Sequence, residues 1–203
     1  ATAAVITWIS YSVLESILRT VWPLPPTVHD SRWQAVLYSS NVVIGCFVAY
    51  QLRSWFFDGF TYHDQTPIEP EMQMYMGVGV GTYIHLIFYQ LFVAPAMKDR
   101  FVMLAHHILT LVLLGCAIGT GLYRWAGPIM LVHDLADPPL HIAKMINRQA
   151  QLATDKAIKA RFQSLADAIF MVFILTFYIT RLYLYPTRIL WVNYLTRYNT
   201  PYS

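Results

Sequence analysis

The fold class this sequence predicts is an all-α integral membrane protein, a polytopic bundle of about six transmembrane helices. Three observations predict it. Of 203 residues, 57% are hydrophobic and 12% charged, where a soluble domain carries about 25% charged residues. Apolar runs of the roughly 20 residues needed to cross hydrocarbon recur along the chain. Prolines, glycines and polar clusters interrupt those runs where helices should stop.

Taken in order, the runs fall near residues 3–22, 33–57, 72–93, 101–121, 125–147 and 160–185. Pro23, Pro25 and Pro26 end the first, which also carries Glu15 and Arg19 at the i,i+4 spacing of a helical ion pair. The second is followed by the polar segment DGFTYHDQTPIEPE. In the third, Gly77, Gly79 and Gly81 lie inside an apolar helix, which predicts a close approach of another helix. Pro95 ends the third run, and Gly119 and Gly121 end the fourth. The fifth contains Pro138 and Pro139, which interrupt its backbone ladder straight after Asp137. No internal repeat or low-complexity linker appears, so the chain reads as one domain, with residues 1–32 as an N-terminal transmembrane segment and loop and 33–203 as the main bundle.

The remaining composition narrows the function. A net charge of +3 is small and calls for no nucleic-acid partner. Cys46 and Cys116, both in apolar runs, read as small core residues and not as a disulfide or metal pair. Neither a P-loop nor a dinucleotide-binding glycine fingerprint is present. Starting at Ala1 implies processing or further residues upstream, and the first run lacks the basic flank of a signal peptide. The loops after the first, third and fifth runs hold Arg32, Lys98, Arg100, Arg148, Lys156, Lys159 and Arg161, whereas the longest opposite loop holds Asp58, Asp64, Glu69 and Glu71. Basic loops face the cytosol or its organellar equivalent, which leaves both termini on the far side.

The chemistry is concentrated between His106 and Asn147. His106, His107, His133, Asp134, Asp137 and His141 all lie inside membrane-spanning runs. Each such group costs several kcal/mol in hydrocarbon unless it meets a partner or a wet cavity. His133, Asp137 and His141, at i, i+4 and i+8, should share one helical stripe, with Asp134 and Lys144 on neighbouring faces. His106 and His107 diverge by about 100° around their helix, so at most one points inward. A neutral imidazole with a nearby carboxylate suits general-base or nucleophilic catalysis on an activated acyl group. Polar contacts locking two helices together are the structural alternative. A metal site is a third, but the dense histidine clusters of oxygen-activating membrane enzymes are absent.

These residues resemble the Lag motif of the TLC-domain family, best known from the ceramide synthases. The family pattern runs HHxxT, then R and G, then HDxxDxxLExxKxxN. This chain supplies His106, His107 and Thr110, then Arg124 and Gly127, then His133, Asp134, Asp137, Leu140, Lys144 and Asn147. Met97-Lys98-Asp99-Arg100-Phe101 is similar to the basic entry before HH, Gly81-Thr82-Tyr83-Ile84-His85 to a G-x-Y-x-H stretch, and Ile179-Thr180-Arg181-Leu182 with Pro186 to an ITRL…P segment. The likeness covers most of the chain after Trp33. The chain departs from the pattern at His141, where the ceramide synthases carry Glu, and at Pro138-Pro139. The resemblance also implies one more spanning helix after the ITRL-like segment, which the tail RILWVNYLTRYNTPYS is too short and polar to supply.

The function implied by the resemblance is transfer of a fatty acyl group from acyl-CoA, as co-substrate, to the amine of a sphingoid base. In that scheme His106 attacks the thioester or acts as the base, with His107 beside it in the catalytic set, and Asp134 and Asp137 orient imidazole and amine. His133, His141, Arg124 and Lys144 support them, while Lys98, Arg100 and His85 contact substrate. No metal and no bound cofactor is expected. The resemblance places the chain in the endoplasmic reticulum, with a mitochondrial or other organellar membrane as the alternative. The expected partners are membrane lipids, the two substrates, and other membrane subunits or a second copy. The alternative function is a non-catalytic TLC-fold subunit with a structural or lipid-binding role in a larger membrane complex.

Overall fold

The computed structural model describes residues 2–21, 25–58, 67–93, 100–192 and 194–195. All six apolar runs contain helix, although the second ends at Gln51, short of its expected end at 57, and continues as turns. In chain order the helices are α1 (Thr2–Val21), α2 (Pro26–Gln51), α3 (Pro70–Phe88), α4 (Arg100–Gly119), α5 (Tyr123–Asp134), α6 (Asp137–Leu152) and α7 (Lys156–Phe177). Wider π-helical turns extend α3 over Tyr89–Val93 and α7 over Tyr178–Leu190. Among the described residues, α3 and α7 with their extensions, and α4, are long and apolar enough to cross a membrane. The chain is a polytopic α-helical membrane protein. The other expected spans are more polar or shorter. Glu15 and Arg19 lie in α1, and His29, Asp30 and Arg32 open α2 seven residues before its expected start. Pro23, Pro95 and most of the acidic loop lie outside the described residues.

The fifth run corrects one expectation. Its ladder breaks at Leu135–Ala136, before Asp137, and two helices of 12 and 16 residues replace one. Pro138 and Pro139 occupy the first turn of α6, where a missing N–H costs nothing and the fixed φ already suits a helix. His133 therefore belongs to α5, and Asp137 and His141 to α6.

The chain divides into two compact units. The first comprises Ala1–Ile17 and Phe47–Pro128. Its centre is α3, whose Met72, Tyr75, Met76, Tyr83, Leu86 and Tyr89 are buried at helical spacing and which packs against α4. The predicted close approach at the glycines is met by α1. A methyl group on Gly77 would stand 2.6 Å from Ala3 Cβ, and one on Gly81 2.5 Å from the Ala4 carbonyl oxygen. Helix α4 stops at a Schellman turn: Gly121 takes φ 74°, and the Leu122 N–H reaches back to the Ala117 carbonyl at 2.8 Å.

The second unit comprises Leu18–Cys46 and Ile129–Ser203. Val28, Trp33 and Leu37 of α2 are buried in it, and α6 lies against α7 with Ala143, Ala150 and Ala166 buried, small residues that permit close helix contact. The Arg32 guanidinium donates to the Leu18 carbonyl at 3.0 Å, satisfying one of the carbonyls that the end of α1 leaves open, and Arg19 stands 3.5 Å from Asp30. Asp155 caps α7, accepting from the Ala157 and Ile158 N–H groups at 2.7 and 3.4 Å. The cysteines differ from expectation: both are free thiols on exposed faces, Cys46 of α2 and Cys116 of α4, sides that this chain does not cover itself.

Candidate functional site

In the first unit the paired histidines separate as their spacing requires. His107 is 1% exposed, beside the Tyr83 ring at 5.8 Å, whereas His106 lies on the exposed face of α4. Neither ring nitrogen of His107 has a hydrogen-bond partner among the described residues. A buried imidazole with neither nitrogen paired is unusual, since buried polar groups are generally hydrogen-bonded. Thr110 of the HHxxT pattern spends its hydroxyl on the His106 carbonyl one turn back, at 2.9 Å.

His85 is buried, with Nδ1 3.3 Å from Ser12 Oγ. The single Ser12 hydroxyl proton goes to the Trp8 carbonyl at 2.9 Å, so Ser12 accepts from His85 and the imidazole carries its proton on Nδ1. Arg124 is buried in an ion pair with Glu69 at 2.8 Å, its guanidinium 4.4 Å over the Trp55 ring. It joins three chain segments of this unit: the start of α3, the turn after α2, and α5. Arg100 opens α4 with its guanidinium 5.8 Å from the Phe101 ring centre. Lys98 lies outside the described residues.

The second unit gathers the carboxylates at the α5–α6 break. Asp134, the last residue of α5, is 4% exposed. Asp137 opens α6 with its Oδ1 2.8 Å from an Arg181 nitrogen, and the same nitrogen lies 2.8 Å from the His133 carbonyl. Arg181 projects from the π-helical extension of α7. There Pro186 lacks an N–H and its ring would crowd the preceding turn, so the wider winding relieves the clash. His133 donates from Nδ1 to the Ile129 carbonyl at 2.9 Å and meets the Tyr185 ring edge-on at 4.8 Å. His141 stacks flat on Tyr38 of α2, 4.6 Å apart and 9° from parallel. Tyr38 is also within Coulombic reach of Asp134, Asp137 and Arg181. Lys144 is exposed on α6. Among the described residues no three His, Cys, Asp or Glu side chains converge as a metal would require.

Sequence reasoning missed two of these residues. Arg181 carried a signal, an arginine inside an apolar run, which demands a counter-charge. Tyr38 carried none.

The pattern holds across the chain. Residues 27–201 match the family model for the TLC domain. The chain belongs to the TLC-domain family. Relatives of this TLC-domain chain include human ceramide synthase 4, 27% identical over 168 residues that cover 81% of this chain and 39% of the relative. Human ceramide synthase 5 is 29% identical over 177 residues, 82% of this chain and 41% of the relative. Ceramide synthase LOH1 of Arabidopsis thaliana is 29% identical over 169 residues, 80% of this chain and 51% of the relative. The TLC-domain chain thus spans between about two-fifths and one-half of the length of these curated relatives.

Proposed function

We propose that this chain carries ceramide-synthase-type N-acyltransferase chemistry, moving a fatty acyl group from acyl-CoA to a sphingoid-base amine in the endoplasmic reticulum membrane. The observation that carries the reading is the buried His107, which offers two ring nitrogens without partners, in a motif that continues into the buried Asp134 and the arginine-held Asp137. The amine nitrogen bonds to the thioester carbonyl carbon, the carbon–sulfur bond breaks, and the amine proton passes through imidazole to the departing thiolate. The base is His107 in preference to His106, because only His107 is removed from the surface. Asp134, 4% exposed at the end of α5, is the carboxylate assigned to orient the amine.

The test is transfer from labelled acyl-CoA to a sphingoid base by the purified chain beside His107→Ala, His106→Ala and Asp134→Asn. A positioned general base contributes about 10²–10⁴-fold, so His107→Ala should fall by that factor and His106→Ala by much less. Turnover in His107→Ala equal to the parent refutes the assignment, and no turnover by a folded parent chain refutes the reaction. One observation favours a second reading, a non-catalytic subunit of a larger membrane assembly. The apolar stretches of α4 and of α7 with its extension are each only 11% buried, and their bare faces suit neighbouring membrane proteins as well as lipid. Stable co-purification of a partner with an inactive chain would support it.

A further inference from the structure

We propose that Arg181 is a positioning residue for this acyl transfer, holding the broken α5–α6 hinge and the Asp137 carboxylate in a single geometry. The inference rests on the acyltransferase reading and adds a residue to it. A single guanidinium nitrogen lies 2.8 Å both from the His133 carbonyl, in the last turn of α5, and from Asp137 Oδ1, in the first turn of α6. Those two acceptors flank the two residues where the helix is interrupted. Without a donor across the gap, the hinge would be free to bend, and Asp134 lies at its edge.

The grip on Arg181 is itself built. The residue sits in π-wound chain ahead of Pro186, with its guanidinium 5.1 Å from the Phe177 ring centre. Thr180 beside it is 4% exposed and donates its hydroxyl to the Thr176 carbonyl at 2.8 Å. The guanidinium is therefore approached by Phe177 of its own helix and bonded by the two acceptors of the hinge. The ion pair of Arg181 is made with Asp137, so the two carboxylates of the motif take different parts. Asp137 anchors the hinge, and Asp134 at its edge is left for the amine.

The experiment compares the full chain with Arg181→Lys, Arg181→Ala, Asp137→Asn and the Arg181→Ala/Asp137→Asn double variant, in acyl transfer and in thermal unfolding. Displacing a reacting group by about 1 Å costs on the order of 100-fold, so Arg181→Ala should lose that much in kcat while KM for acyl-CoA stays near the parent value. Arg181→Lys, which keeps a donor and a charge but loses the fork, should recover part of the loss. The double variant should be no slower than the slower single. Arg181→Ala with parent kcat, or single losses that multiply in the double variant, overturns the proposal. If the parent chain has no turnover, the acyltransferase reading fails by itself, and the clamp is then judged on unfolding alone. Coupled losses of stability between positions 181 and 137 support it, and additive losses overturn it.

Discussion

Three glycines to alanine, compared side by side, measure how tightly α1 is seated on α3. In each case the substitution removes backbone freedom from the unfolded chain and raises helix propensity, a gain of about 0.5–1 kcal/mol common to all three. Only the surroundings differ. A methyl group at Gly115 meets no atom within 4 Å, so the gain should appear undiminished. At Gly127 it would stand 2.6 Å from Met72 Cε and 2.8 Å from Met72 Sδ, the end of a flexible thioether that can swing aside, leaving the balance near zero. At Gly81 it would stand 2.5 Å from the Ala4 carbonyl oxygen and 2.7 Å from Thr7 Cβ. Neither atom can rotate away, so α1 must lift from α3 at an overpacking cost of about 1–3 kcal/mol. Because the propensity gain cancels in the comparison, the spread between the variants at 115 and 81 equals that overpacking cost. For a chain of this size 1 kcal/mol moves the midpoint by about 2–4 °C. Thermal unfolding in detergent, followed by tryptophan fluorescence, should therefore place Gly115→Ala above the parent and Gly81→Ala several degrees below Gly115→Ala. Equal midpoints for these two variants would refute the seating of α1 against Gly81.

Two further substitutions test charges that hold the units together internally. Arg124→Ala should lower stability by about 1–3 kcal/mol, since it strands Glu69 and removes the stack on Trp55; adding Glu69→Gln should restore part of the loss in the same unfolding assay. Asp155→Ala should cost about 1 kcal/mol by uncapping α7, while Asp155→Asn keeps the acceptor and most of the stability.

Much of this was legible before the structure. Helix positions followed from the apolar runs because a membrane removes the ambiguity of short apolar segments: the backbone must satisfy its own hydrogen bonds, and a helix does so. The opposed fates of His106 and His107 followed from helical rotation alone, although which one turned inward required the packing of α4 against α3. The start of α2 was hidden because His29, Asp30, Ser31 and Arg32 resemble a loop, yet His29, Ser31 and Arg32 are all buried within the helix. The place of the break was missed for a related reason. Two prolines look like the end of a helix, and here they begin one. Arg124 belongs to the same motif as the carboxylates, but its partner Glu69 is 55 residues away, and nothing local announces that pairing.

The break at Leu135–Ala136 accounts for the polarity of the second unit. Ending α5 frees the carbonyls of its last turn, and starting α6 would ordinarily free an equal set of N–H groups. Pro138 and Pro139 have no N–H to offer, so the break exposes more acceptors than donors. Asp134 and Asp137 stand at the two lips of the gap and deepen that imbalance. Where it is buried, such a deficit must be met by a cation or a strong donor brought from elsewhere. Arg181 meets part of it, bonding one carbonyl and one carboxylate with a single nitrogen, and its reach depends on the π winding that a third proline, Pro186, imposes on α7.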